Sequence, residues 1–159
     1  MPSISEILGP KGLIARHLQG FEYRETQQEM AEAIDKAFSE EKIALIEAGT
    51  GIGKTIAYLV PALLHAATNH KRCVISTHTI PLQEQLVHRD IPLLINALGF
   101  DLEVVLLKGA RHYLCLRSLE EADLDGDELM IQDWATSTKE GVLNELGKDL
   151  SFPKRDQLG

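Results

Sequence analysis

The sequence predicts an α/β fold: a parallel sheet flanked by helices, followed by a mainly helical, acidic C-terminal segment. Three observations carry that prediction. Short apolar runs alternate with stretches of helical spacing, a glycine cluster joins the first run to the longest helical stretch, and the excess negative charge is gathered late in the chain. Strands alternating with helices of this length imply parallel strands covered on both faces, with ligands at the strands' carboxyl ends.

The elements follow in order. From Glu22 to Phe38, the residues Tyr23, Met30, Ile34, Ala37 and Phe38 recur at helical spacing with charges between them, predicting an amphipathic helix that begins near Arg24. Ile43-Ala44-Leu45-Ile46 is a short apolar run ended by Gly49, Gly51 and Gly53, the pattern of a buried strand feeding a tight loop. Lys54 to about Ala67 is helical in pattern, with Pro61 expected to kink it. Cys73-Val74-Ile75-Ser76 predicts a second strand, Leu82 to Leu98 a helix interrupted near Pro92, and Leu102 to Leu107 a third strand. Beyond Gly109, Tyr113 to Leu119 and Asp127 to Leu146 are expected to be helical, with Trp134 as anchor.

The 159 residues bound the chain to about one core, and 44% hydrophobic with 25% charged residues is ordinary for a globular domain, which excludes the disordered, collagen-like and membrane classes. No apolar run reaches the roughly 18 residues of a membrane span, and Met1-Pro2-Ser3-Ile4-Ser5-Glu6 lacks a signal-peptide layout. The expected location is therefore cytoplasmic, with no membrane partner. Two cysteines, Cys73 and Cys115, are too few for a disulfide scaffold or a four-thiolate metal site. The formal charge of -8 speaks against a nucleic-acid partner until its distribution is read: residues 118–149 hold 10 acids and 2 bases, whereas 71–117 hold 6 bases and 4 acids.

Chemistry concentrates in Glu47-Ala48-Gly49-Thr50-Gly51-Ile52-Gly53-Lys54-Thr55. A glycine-rich loop at a helix N-terminus can turn backbone N–H groups toward a phosphate, with the helix dipole adding favourable potential. Ala48 to Thr55 are the candidate ATP-binding residues, with Lys54 against the β- and γ-phosphates and the Thr55 hydroxyl on Mg²⁺. Ala48 stands where the usual pattern has its first glycine. A dinucleotide-binding loop fails because a third glycine would be needed at Ile56. No carboxylate ends an apolar strand to hold Mg²⁺ for hydrolysis: Asp101 precedes its run, Asp127 has none before it, and Asp133 falls in a helical stretch.

With the loop placed, most of Phe21 to Cys115 resembles the superfamily 2 DNA helicases of the DinG and XPD branch. Tyr23-Arg24-Glu25-Thr26-Gln27-Gln28-Glu29-Met30 is similar to the family's Q motif, and the resemblance implies that Arg24 and Gln27 recognise adenine. Ile75-Ser76-Thr77-His78-Thr79-Ile80-Pro81-Leu82-Gln83-Glu84-Gln85-Leu86 resembles motif Ia, which implies contact of Thr77, His78, Thr79 and Gln83 with single-stranded DNA. Read without the family, Thr77 and Thr79 are helix-capping candidates. Lys108-Gly109-Ala110-Arg111-His112-Tyr113-Leu114-Cys115 is similar to the stretch leading to the first of four cysteines of a [4Fe–4S] cluster, with Ala110 and His112 departing from the pattern. Cys115 is thus a metal ligand only in a longer protein.

The resemblance implies an incomplete RecA-like P-loop domain: 1–20 as an N-terminal extension, 21–117 as a partial ATP-binding domain, and 118–159 as an acidic helical segment opening the iron–sulfur or insertion region. The implied function is an ATP-dependent DNA helicase, present as an N-terminal portion inactive alone, whose missing partner is the second RecA-like domain. A small P-loop kinase and a non-catalytic nucleotide-binding module remain alternatives.

Overall fold

Helices account for the regular structure in the computed structural model, which describes residues 2–121 and 128–146. Ser3 caps the first, α1 (Ile4–Leu8), in a reciprocal box: the Glu6 N–H donates to Ser3 Oγ at 3.3 Å and the Ser3 N–H to Glu6 Oε2 at 2.7 Å. This fixes a five-residue helix, too short to hold itself, whose Ile4, Ile7 and Leu8 are buried. Helix α2 (Leu13–His17) adds buried Ile14. Helix α3 (Glu25–Ser39) follows its N-cap Arg24, near where its spacing predicts a start, and buries Gln27 and Ala31; it packs against α4 (Lys54–Asn69). Pro61 does not end α4, which continues to Asn69 with seven residues from Ala57 to Leu64 buried.

The next helical stretch is subdivided rather than broken at Pro92. Helix α5 (Ile80–Gln85) passes through one π-helical turn, Leu86–Asp90, into α6 (Ile91–Leu98), where Pro92 occupies the tolerant first turn. Gln85 Nε2 donates to Asp90 Oδ2 at 2.8 Å across the wide turn. One hydrophobic cluster joins α1, α2, α3, α4 and the α5–α6 stretch, with Ile7, Ile14, Leu59 and Leu94 wholly buried. Each such side chain stabilises by about 1.5–3 kcal/mol relative to exposure.

The expected parallel sheet is absent among the described residues, and the α/β reading is corrected to a helical one. None of the three apolar runs forms a ladder; the sole β contact among the described residues is an isolated antiparallel bridge between Tyr113 and Val142. Ile43 and Leu45 are fully exposed and Val74 is 93% exposed, while only Ile75 and Leu102 of the three runs rest partly buried on the core. The physical reason is that an apolar run specifies a preference for burial but not a partner. A parallel strand needs neighbours aligned by crossover connections and cover on both faces. Here the helices bury their apolar sides against one another, so the runs lack a ladder.

The chain divides into two compact units, Met1–Leu106 and Leu107–Gly159. In the second, the short 3₁₀ turn Ala110–His112 precedes α7 (Leu116–Glu121), α8 (Glu128–Ser137) and a 3₁₀ turn at Leu143–Leu146. Ile131, Leu143 and Leu146 form its core, and Trp134 packs on them as the predicted anchor. Parts of the acidic segment, 122–127 and 147–159, lie outside the described residues. No helix among the described residues is long and apolar enough to cross a membrane.

Candidate nucleotide-binding site

The loop before α4 is built by two glycines that adopt the left-handed region. Gly51 has φ +83° and Gly53 φ +82°, and Gly53 is the N-cap of α4. An L side chain at such a φ costs about 1–2 kcal/mol, so glycine is what lets the chain double back into the helix here. No side chain caps α4, so its first N–H groups are available at the loop, at the positive end of a sixteen-residue helix dipole. Lys54 folds over the same loop. Its Nζ donates to Ala48 O at 3.0 Å and Gly49 O at 2.6 Å, which holds an exposed ammonium above the backbone. Thr50 is exposed, Ile52 is half-buried, and Thr55 is half-buried one residue into the helix.

Two side chains from α3 reach this loop. Gln27 is 3% exposed, and its Nε2 donates to Gly53 O at 2.9 Å. The Arg24 guanidinium donates through Nη1 to Gly51 O and through Nη2 to Glu22 Oε2 at 3.4 Å. The residues paired by the resemblance with adenine thus meet the loop backbone itself, across 26 and 27 positions of sequence. A β-carbon at Gly53 would collide with the Gln27 amide nitrogen.

Sequence reasoning passed over Tyr58. It lies one turn beyond Thr55; burial raises its pKa, a hydrogen bond with the Thr55 side chain opposes that rise, and the Asp90 carboxylate reinforces it. The three-residue spacing of Thr55 and Tyr58 on one helix was the available signal. Tyr58 also lines a cavity of about 420 Å³ with Ile34, Phe38, His65 and Cys73, where the Phe38 and His65 rings stack at 4.6 Å.

The motif Ia residues form a local group of their own. Thr77 Oγ1 donates to Thr79 O at 3.3 Å, and Thr79 is the N-cap of α5 without a side-chain capping bond, so the capping expected of it is not made. His78 and Thr79 are exposed, and Gln83 is half-buried within α5. Cys115, exposed in the second unit, has its thiol pKa lowered by hydrogen bonds from Ser118 and by the nearby Arg117 charge. Cys73 is half-buried, donates to Ala62 O at 3.4 Å, and has its pKa raised by burial. Among the described residues no group of three or more His, Cys, Asp or Glu could hold a metal, so these residues do not by themselves fit an iron–sulfur cluster.

The DEAD/DEAH box helicase profile matches residues 24–125, from Arg24 through the loop and beyond Cys115. The chain belongs to the DEAD/DEAH box helicase family. It is 39% identical over 150 residues to the ATP-dependent DNA helicase YoaA of Escherichia coli K12, covering 89% of this chain and 23% of that protein. It is 44% identical over 124 residues to the ATP-dependent helicase DinG of Mycobacterium tuberculosis H37Ra (76% and 18%), and 36% identical over 146 residues to the 3'-5' exonuclease DinG of Bacillus subtilis 168 (87% and 16%). The chain therefore spans less than a quarter of each of these relatives.

Proposed function

We propose that this chain supplies the ATP-binding portion of an ATP-dependent DNA helicase. The observation that carries the reading is the Lys54 ammonium held 2.6 and 3.0 Å from two loop carbonyls, beside the uncapped N-terminus of α4. A bound triphosphate replaces those neutral acceptors with anionic oxygens, a stronger charge-assisted pairing, while the loop and helix N–H groups take the remaining oxygens. Ala48, Gly49, Thr50, Gly51, Ile52, Gly53, Lys54 and Thr55 form this cradle, with Arg24 and Gln27 completing the nucleotide-binding set. Thr55, one residue into α4, is the residue whose hydroxyl would hold Mg²⁺. When bound, such an ion would supply charge neutralisation at the phosphates.

Thr77, His78, Thr79 and Gln83 are proposed to meet the backbone of single-stranded DNA. Exposed hydroxyl and imidazole groups beside a helix start bind phosphate oxygens without reading sequence. The carboxylate that completes Mg²⁺ binding, the group that orients water, and the further domain that closes on ATP are proposed to come from the remainder of a protein of the relatives' length. Cys115 is proposed as an iron–sulfur ligand only in that context.

The test measures MgATP binding by titration calorimetry, and ATP turnover with and without single-stranded DNA in a longer protein containing this segment. Lys54→Ala is expected to abolish measurable binding and DNA-stimulated turnover. Unchanged values on both measurements overturn the reading.

A further inference from the structure

A cavity of about 420 Å³ lies among α3, α4 and the segment 71–76, which has no ladder partner among the described residues. None of Ala48 to Thr55 lines it, so it is distinct from the candidate nucleotide site, and its volume is that of a small-molecule pocket. Three of its lining side chains are rings: Phe38 from α3, and Tyr58 and His65 from α4, each half-buried. Phe38 and His65 are stacked, with centroids 4.6 Å apart and planes 18° from parallel. Asn69 fixes the imidazole. Its Nδ2, which can only donate, lies 3.0 Å from His65 Nδ1, so the ring proton sits on Nε2 and the ring is neutral. A neutral, oriented pair of rings beside the apolar side chains of Ile34 and Ile75 offers a surface to another aromatic ring in offset or edge-on contact.

The charges on this cavity are of one sign. Lys71 and Arg72 line it and no carboxylate does, in a chain whose formal charge is -8. The carboxylates of Asp35 and Glu41 line an adjacent cavity instead. Lys71 is engaged by Glu41, whose Oε1 lies 3.4 Å from its Nζ, whereas Arg72 makes no ion pair among the described residues. Lys71, Arg72 and Glu41 together leave a single positive charge, which a carboxylate matches; a phosphate monoester, at about -1.5 to -2 near neutral pH, exceeds it. A guanidinium also presents a planar fork of N–H donors that suits a carboxylate. We propose that this cavity is a second ligand site of the chain, for a planar aromatic carboxylate whose ring lies against Phe38, His65 and Tyr58 and whose anionic end pairs with Arg72. The site goes beyond the nucleotide reading and does not depend on it.

Cys73 lines the cavity while Cys115 belongs to the second unit, so the two thiols report occupancy against an internal reference. The experiment titrates β-naphthoate, the uncharged β-naphthol and β-naphthyl phosphate into the whole chain by calorimetry at neutral pH. In parallel, iodoacetamide labelling of both cysteines at mildly alkaline pH is followed by peptide mapping. β-Naphthoate is expected to bind, and to slow labelling of Cys73 without slowing that of Cys115. β-Naphthol, which lacks the charged end, is expected to bind about tenfold more weakly, the equivalent of one charge-assisted hydrogen bond. Arg72→Ala should weaken β-naphthoate by that factor and leave β-naphthol unchanged; Arg72 is exposed, so the variant keeps the fold. Tighter binding of β-naphthyl phosphate than of β-naphthoate overturns the carboxylate assignment. Absence of β-naphthoate binding, equal slowing at both cysteines, or full β-naphthoate affinity in Arg72→Ala overturns the site. No nucleotide enters the measurement, so its failure leaves the ATP reading standing.

Discussion

Gly53→Ala is the substitution whose cost can be worked most directly from the structure. An alanine held at φ +82° carries about 1–2 kcal/mol of left-handed strain. Its β-carbon also takes the place of the Gln27 amide nitrogen, so the buried amide must move and lose Gly53 O, at roughly 1–3 kcal/mol for an unsatisfied buried donor. Together these give about 2–5 kcal/mol. Gly51 is the internal control: its φ is +83°, but nothing lies within 4 Å of its β-carbon position, so Gly51→Ala carries only the strain of about 1–2 kcal/mol. The assay is urea unfolding followed by far-ultraviolet circular dichroism, with stability taken from the midpoint at constant slope. With a urea slope of about 2 kcal/mol/M, Gly53→Ala is expected to lower the midpoint by about 1–2.5 M, further than Gly51→Ala. In a Gln27→Ala background the collision disappears, and the cost of Gly53→Ala should fall to that of Gly51→Ala. Equal costs for the two glycines in the unaltered protein, or an unchanged Gly53→Ala cost without the Gln27 side chain, would refute the contact argument.

Other outcomes follow from local chemistry. Iodoacetamide at neutral pH should label Cys115 well before Cys73, because hydrogen bonds to Ser118 favour the exposed Cys115 thiolate while burial disfavours that of Cys73; peptide mapping showing the reverse order would contradict this. Ser3→Ala removes the cap of α1 and is expected to cost about 1 kcal/mol in urea unfolding. The Glu6 pKa is lowered by its backbone and side-chain bonds to Ser3, so its contribution is present above its unfolded pKa and lost as pH falls through the folded one. The Ser3→Ala difference should therefore shrink on acidification, and a difference that grows would count against the cap.

How much was legible in the sequence depends on whether the signal was local. Helical spacing placed the start of α3 at Arg24 and the course of α4 from Lys54, because an amphipathic face repeats within a few residues. Gly49, Gly51 and Gly53 followed by Lys54 marked the phosphate loop for the same reason: the required backbone conformations belong to those residues themselves. Trp134 was recognisable as an anchor in an otherwise acidic segment. The strands were misread because Ile43 to Ile46, Cys73 to Ser76 and Leu102 to Leu107 have the composition of strands, but pairing is a property of two segments together.

The sequence by itself determined α3 and α4, the glycine loop with its lysine, and the order of motifs that assigns the chain to its family, but not α1 and α2 or the bounds of α7 and α8. Tertiary structure decided that the helices pack on one another without a ladder between the apolar runs. It also decided that Gln27 and Arg24 grip the carbonyls of Gly53 and Gly51. Both outcomes turn on contacts between segments distant in the chain, and no periodicity encodes which distant segment a residue will meet. The packing of α3 against α4 alone brings a buried amide to a loop carbonyl 26 residues away.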